Sequence, residues 1–196
     1  MTVARWAALA LVVGARTASA DGLADDDLWR YRVGAIAIDG GVLAARPAAL
    51  ETGLARGFDA GVTVGDRLQW GARVSWATAT ESTIGWTVTH DDVRLRLTGG
   101  WQAHAGRGAF GLRLGLGGTM VHELRERVHG EIAGAQGMAL ETTANVLLPT
   151  GELDAVVSLH LTGGWMVILA GGPTVTRVDA KLRTGFAGSF GVAWQL

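Results

Sequence analysis

The chain has 196 residues, 48% of them apolar and only 18% charged, with a net charge of −1. That length fits one domain with a short extension, and that apolar content excludes an intrinsically disordered chain. There is no cysteine, which excludes a disulfide framework, a thiolate zinc site and a cysteine nucleophile, and there is no global basic field to draw nucleic acid.

Residues 1–20 have the layout of a secretory signal peptide. Arg5 supplies the positive start, an apolar run over 6–15 is too short to span a bilayer as a helix, and Ala18-x-Ala20 closes it with small residues. No cysteine follows, so no lipid anchor is expected. Residues 21–28, with Asp25, Asp26 and Asp27, read as a solvated acidic tail.

From residue 29 onward the dominant pattern is period-2 alternation, the mark of strands with one apolar face. Leu68, Trp70, Ala72, Val74 and Trp76 alternate with polar or small residues. So do Val93, Leu95, Leu97 and Trp101, then Phe110, Leu112, Leu114 and Leu116, then Phe190, Val192, Trp194 and Leu196. The pattern predicts strands over 29–45, 52–64, 67–79, 86–104, 109–124, 138–148, 154–170 and 181–196. Gly65-Asp66, residues 105–108 and residues 149–152 have tight-turn chemistry. The connections near 46–51, 80–85, 125–137 and 171–180 read as longer. On this reading Pro47, Pro149 and Pro173 all fall in connections, where no ladder donor is needed.

One heptapeptide recurs. Leu-Arg-Leu-Thr-Gly-Gly-Trp at 95–101 matches Leu-His-Leu-Thr-Gly-Gly-Trp at 159–165 in all but one position. A duplicated hairpin unit would explain it. Convergence explains it as well, and alternation constrains such strands strongly enough to favour convergence. Both copies are read as strand, which puts Leu161 on the apolar face and Thr162 on the other.

The second face of these strands is rich in glycine, arginine, serine and threonine. In a narrow barrel, inward glycine makes room for long side chains. Aromatics on the apolar face sort by height. Trp29, Tyr31, Trp70, Trp101, Phe110 and Trp194 lie near the short-turn end, and Trp76, Trp86, Trp165 and Phe186 toward the other. Two such girdles are expected where rings meet lipid–water interfaces. The expectation is therefore an all-β fold over 29–196: an eight-stranded antiparallel transmembrane β-barrel, an up-and-down meander with both termini at the short-turn end.

The ending Phe190-Gly-Val192-Ala-Trp194-Gln-Leu196 is similar to the assembly signal on the last strand of bacterial outer-membrane barrels, with Leu196 in place of the usual terminal aromatic. In this and in its strand layout the chain resembles the small eight-stranded outer-membrane proteins of the OmpA transmembrane-domain, OmpX and OmpW kind. The resemblance implies a Gram-negative outer-membrane location, reached through the periplasm, and recognition by the outer-membrane assembly machinery. No peptidoglycan-binding domain is expected after the barrel.

The inward face is predicted to carry Arg30, Arg32, Arg67, Arg73, Arg94, Arg96, Arg113, Lys181 and Arg183 against Asp59, Asp92, Glu123 and Glu141. Unpaired charges there would be costly, so an arginine–carboxylate plug is the leading expectation. A narrow channel for small solutes or hydrophobic molecules is the alternative, and this basic excess would favour anions. His122-Glu123-Leu124-Arg125-Glu126 departs from the H-E-x-x-H zinc motif at its last position and falls outside any helix, so it reads as a charged rim. Some barrels of this kind modify lipid A. Ser158, His160 and Glu141 would supply an acyl hydrolase's nucleophile, base and orienting acid, but they face inward while acyl chains lie outside. The expectation is a monomeric, non-enzymatic barrel with a structural or surface-interaction role. It needs no cofactor or metal, meets outer-membrane lipid and lipopolysaccharide, and does not bind nucleic acid.

Overall fold

The computed structural model describes residues 36–46, 53–65, 67–83, 86–127, 142–178 and 180–196. The expected signal segment and acidic tail, together with Trp29, Arg30, Tyr31, Arg32, Pro47 and Glu141, lie outside these. The described chain forms eight strands: β1 (Ile36–Arg46), β2 (Ala55–Gly65), β3 (Leu68–Thr83), β4 (Trp86–Ala105), β5 (Gly108–Arg127), β6 (Thr142–His160), β7 (Trp165–Val178) and β8 (Lys181–Gln195). Each pairs antiparallel with its neighbour in sequence, and β1 pairs with β8 to close the barrel. Closure leaves no open sheet edge around the ring, which is what a chain in hydrocarbon requires.

Alternation sorts the faces as expected. On β4, Arg96 is 4% exposed while the next residue, Leu97, is 73% exposed. The same switch separates Arg73 from Val74 on β3 and Asp154 from Leu153 on β6. The exterior is thus an apolar belt of valine, leucine and aromatic side chains, and the interior is polar. In water this arrangement would be inside out. In a bilayer it satisfies both solvents.

Several expected boundaries are corrected. Residues 149–152 are not a turn: they continue β6, which runs to His160. The turn between β6 and β7 lies at 161–164, inside the expected seventh strand. Leu161 and Thr162 therefore sit in a turn and do not mark the two faces of a strand. Pro149 and Pro173 are strand residues. The β6–β7 ladder starts at Thr150↔Thr176, one residue beyond Pro149, and lapses around Pro173, between Glu152↔Thr174 and Ala155↔Gly171. Both sites suit a residue with no N–H to donate. The connections at 80–85 and 171–180 are not long either, because β3 runs on to Thr83 and β7 to Val178. The neighbouring β3, β4, β5 and β6 have 16, 20, 20 and 19 residues against 11 in β1 and β2. One side of the barrel wall is therefore built from longer strands.

Candidate functional site: the charged lumen

Three strands bring the central charges together. Asp39 (β1), Asp59 (β2) and Arg73 (β3) all point inward, and the backbone registers place Asp39 opposite Gly61 and Gly61 opposite Arg73. Gly61 keeps the space open, since a Cβ there would lie 2.9 Å from Arg73 Nη1. The Arg73 guanidinium donates to Asp39 at 2.9 Å (Nη1 to Oδ2) and 2.5 Å (Nη2 to Oδ1), and its Nε donates to Asp59 Oδ2 at 3.1 Å. This is a fork bridging two carboxylates, the geometry for which guanidinium is built.

The chain of charges continues across the interior. Arg96 Nη2 donates to Asp59 Oδ1 at 2.9 Å and to Ser75 Oγ at 3.0 Å, and Arg96 Nη1 pairs with Glu152 on β6. Gly115 clears the space beside Glu152, where a Cβ would come within 2.9 Å of its Cγ. Asp39, Arg73, Asp59, Arg96 and Glu152 thus form one continuous ion-paired path from β1 to β6. Arg113 binds Asp154 at 2.7 and 3.2 Å, and Arg94 meets Asp92 at 3.4 Å. Toward the short-turn end, Gln69 donates to Gln102 and Gln102 to Ser158. Toward the loop end, Leu43, Ala45, Ala55, Ala77, Ala79 and Ala187 pack together.

The structure redistributes the expected site. Arg73, Arg94, Arg96, Arg113, Asp59 and Asp92 are in the lumen. Arg67 is not: it lies exposed in the β2–β3 turn, where its carbonyl accepts from the Gln102 N–H at 2.8 Å. Lys181 and Arg183 share the inward parity of β8 but are exposed at its loop end. Glu123 lies at the rim with His90 and Arg125. Sequence reasoning misses three carboxylates. Asp39 falls on the inward parity of β1, opposite to the parity set by Arg30 and Arg32. Glu152 is hidden by the misplaced turn, whereas Asp154 heads the expected strand 154–170 on the inward parity of Ser158 and His160 and is left out of the expected charges. Their alternation with Leu153 is the available signal. With them included, the buried carboxylates are Asp39, Asp59, Asp92, Glu152 and Asp154 against Arg73, Arg94 and Arg96, with Arg113 half-buried. The described lumen has no basic excess, which removes the basis for anion preference.

Ser158 and His160 do face inward on β6. Ser158 Oγ accepts from Gln102 at 3.1 Å, and His160 Nδ1 lies 3.2 Å from the Arg107 carbonyl oxygen. His122 and Glu123 stand on a strand, with His122 hydrogen-bonded to Asn145 at 2.7 Å. Among the described residues no group of three His, Asp or Glu side chains could hold a metal ion.

The girdles are also revised. Trp70, Trp101, Phe110 and Trp194 lie near the short-turn end, and Trp101 meets Phe110 edge to face at 6.5 Å. Trp165 joins this group, because β7 starts there and its ring sits 6.3 Å from that of Trp194. Trp86 has the parity of His90 and Asp92, so it leaves the lipid-facing set. Trp76 and Phe186 remain toward the loop end, with Phe58, unforeseen, stacked on Trp76 at 6.2 Å. Phe190, Val192, Trp194 and Leu196 do share the outward face.

The fold matches solved outer-membrane proteins. A major outer membrane protein from Thermus thermophilus aligns at 11% identity and TM-score 0.52 over 82% of this chain and 99% of that one. OprG from Pseudomonas aeruginosa aligns at 13% and 0.51 over 87% and 99%. Ail, the attachment invasion locus protein of Yersinia pestis, solved with the heparin analogue sucrose octasulfate, aligns at 13% and 0.50 over 84% and 100%. No protein-family model and no curated protein matches the sequence. The chain has the eight-stranded barrel fold of these proteins.

Proposed function

We propose that this chain, with the fold of the small outer-membrane barrels, is a monomeric outer-membrane protein with a structural or surface-interaction role and a sealed lumen. The observation that carries the reading is the unbroken ion-paired path from Asp39 through Arg73, Asp59 and Arg96 to Glu152, inside a wall whose outer face is apolar. Fixed charges already paired with one another leave little reason for ions to enter. Eight strands enclose an interior only wide enough for side chains. The apolar belt supports the membrane location, and the closed ring, with no edge strand to pair, supports the monomer. Among the described residues nothing in the lumen favours an enzyme: Ser158 and His160 face away from the hydrocarbon where acyl chains would lie.

The test is single-channel recording of the refolded protein in planar bilayers. The sealed lumen predicts a silent bilayer. A steady open-channel current would replace this reading with a pore. Recovery of the protein in the soluble periplasmic fraction would overturn the membrane location itself.

A further inference from the structure

The outer apolar face does not have the same height all round the barrel. One register row of outward residues runs Phe58, Trp76, Val93, Met120 and Leu147 from β2 to β6, and each member is apolar. The next outward row toward the loops runs Arg56, Thr78, Asp91, His122 and Asn145, and each member is polar. On these five strands the edge of the apolar face therefore follows a row of backbone pairing.

Such a row is not level. Val42 connects to β6 by two routes. Through β2, β3, β4 and β5 it reaches Leu147, and through β8 and β7 it reaches Val157. The two ends lie ten residues apart on one strand, and the end reached through β2 is nearer the loops. That stagger is the tilt of the strands against the barrel axis. At a strand spacing of about 4.8 Å and a tilt of about 40°, the row climbs roughly 3 Å per strand, or roughly 12 Å from β2 to β6.

β2 and β6 stand on opposite sides of the ring and show the result. The outward residues of β2 are apolar from Phe58 to Val64, with Arg56 next on the loop side and Leu54 outside the strand. The outward residues of β6 are apolar or glycine from Leu147 to Leu159. Both runs start beside a short turn, so the difference falls on the loop side. Along the axis they span roughly 15 Å and roughly 30 Å, against an apolar band of about 25 Å in outer-membrane barrels. A wall shorter than the surrounding hydrocarbon thins the bilayer around it.

We propose that the loop-side leaflet is thinned against β2 and β3 and stands at full height against β5 and β6, so that the outer wall fits bilayer lipid of graded thickness. The proposal rests on the outer-membrane reading and deepens it by saying where around the barrel the lipid boundary lies.

The chain has no cysteine, so one nitroxide can be placed at a time. Thr78→Cys, Leu147→Cys, Leu159→Cys and the mid-belt Leu97→Cys are labelled and refolded into palmitoyl-oleoyl phosphatidylcholine vesicles. Relaxation of each label by oxygen is compared with relaxation by a water-soluble nickel chelate. Because the hydrocarbon core holds no water, the oxygen-to-nickel ratio should be at least about fivefold higher at Leu97, Leu147 and Leu159 than at Thr78. Leu147 stands roughly 4 Å nearer the loops than Thr78 along the axis, so a level boundary would immerse Thr78 first. Equal ratios at the two positions, or a higher one at Thr78, would overturn the proposal. So would a water-exposed Leu159 together with an immersed Leu147, the pattern of a uniform belt on a tilted barrel. The heat-dependent gel shift shows that each labelled barrel is folded, and Met120→Cys or Val157→Cys replaces Leu147→Cys or Leu159→Cys where it is not. A water-exposed label at Leu97 would sink the membrane-barrel reading, whereas an immersed one with equal ratios at Thr78 and Leu147 would sink only the graded wall.

Discussion

Residues 95–101 and 159–165 differ at a single position, Arg96 against His160, yet they adopt different structures. The first copy is extended throughout and lies within β4, with β3 and β5 paired on either side. The second leaves β6 at His160, turns through Leu161–Gly164 and enters β7 at Trp165. Its glycines take left-handed conformations, with φ of +63° at Gly163 and +81° at Gly164. The turn is closed by Leu161 N–H to the Trp165 carbonyl at 2.9 Å, and Trp165 N–H to the Thr162 carbonyl at 3.2 Å. Gly-Gly permits both outcomes. The neighbours select between them: the first copy is paired along its whole length with β3 on one side and β5 on the other, and the second reaches the end of the wall.

The turn copy leans on the C-terminus. Trp194 Nε1 donates to the Gly163 carbonyl at 3.3 Å and Gln195 N–H to that of Gly164 at 2.9 Å, while Leu196 N–H reaches the Ile36 carbonyl at 2.8 Å. Removing residues 194–196 takes away these partners and part of the seam with β1. The largest expected effect is therefore loss of assembly, read as degraded or aggregated chain in place of heat-modifiable protein in the outer-membrane fraction. Leu196→Phe should assemble at least as well as the native chain. Normal yield from the truncation would show that the turn copy does not need its C-terminal support.

The one differing position gives the next effect. Arg96 holds Asp59, Ser75 and Glu152, so Arg96→His should strand buried carboxylates and cost about 3–5 kcal/mol. His160 lies beside the turn, against the Arg107 carbonyl, and His160→Arg should cost about 1 kcal/mol. Urea titrations of both variants in lipid vesicles measure the difference. Equal costs would mean that the ion-paired path contributes no more than the turn.

The sixth position comes third. At Gly164 an added Cβ would lie 2.8 Å from the Gln195 carbonyl in a backbone already left-handed, so Gly164→Ala should cost about 2–3 kcal/mol. The fifth position separates the copies most finely. Gly163 has open space but positive φ, so Gly163→Ala should cost about 1–2 kcal/mol and Gly163→Asn less. Gly99 has no such φ, and its Cβ would meet the Trp70 ring at 3.0 Å, so Gly99→Ala should stay within about 1 kcal/mol either way. The same urea midpoints decide. A larger loss at Gly99 than at Gly163 would reverse the account of how the two copies differ.

Period 2 was enough to determine eight strands, two faces and an inverted barrel, because every side chain in a strand must choose one of two solvents and the choice repeats every second residue. It placed Arg73, Arg94, Arg96 and Arg113 inside because each is followed by a residue bound for lipid. What period 2 does not carry is where a strand stops. Residues 149–152 have good turn chemistry and stay extended because β5 is long enough to pair with them, while residues 161–164 resemble a strand and turn because the wall ends there. That one misplacement concealed Glu152, the far end of the ion-paired path, although Asp154 kept its inward parity in the expected strand. Only the tertiary structure decided which carboxylate meets which arginine. Those contacts join Asp39 to Arg73 and Asp59 to Arg96, residues 34 and 37 positions apart, and such pairings are set by barrel closure and strand stagger, not by local pattern.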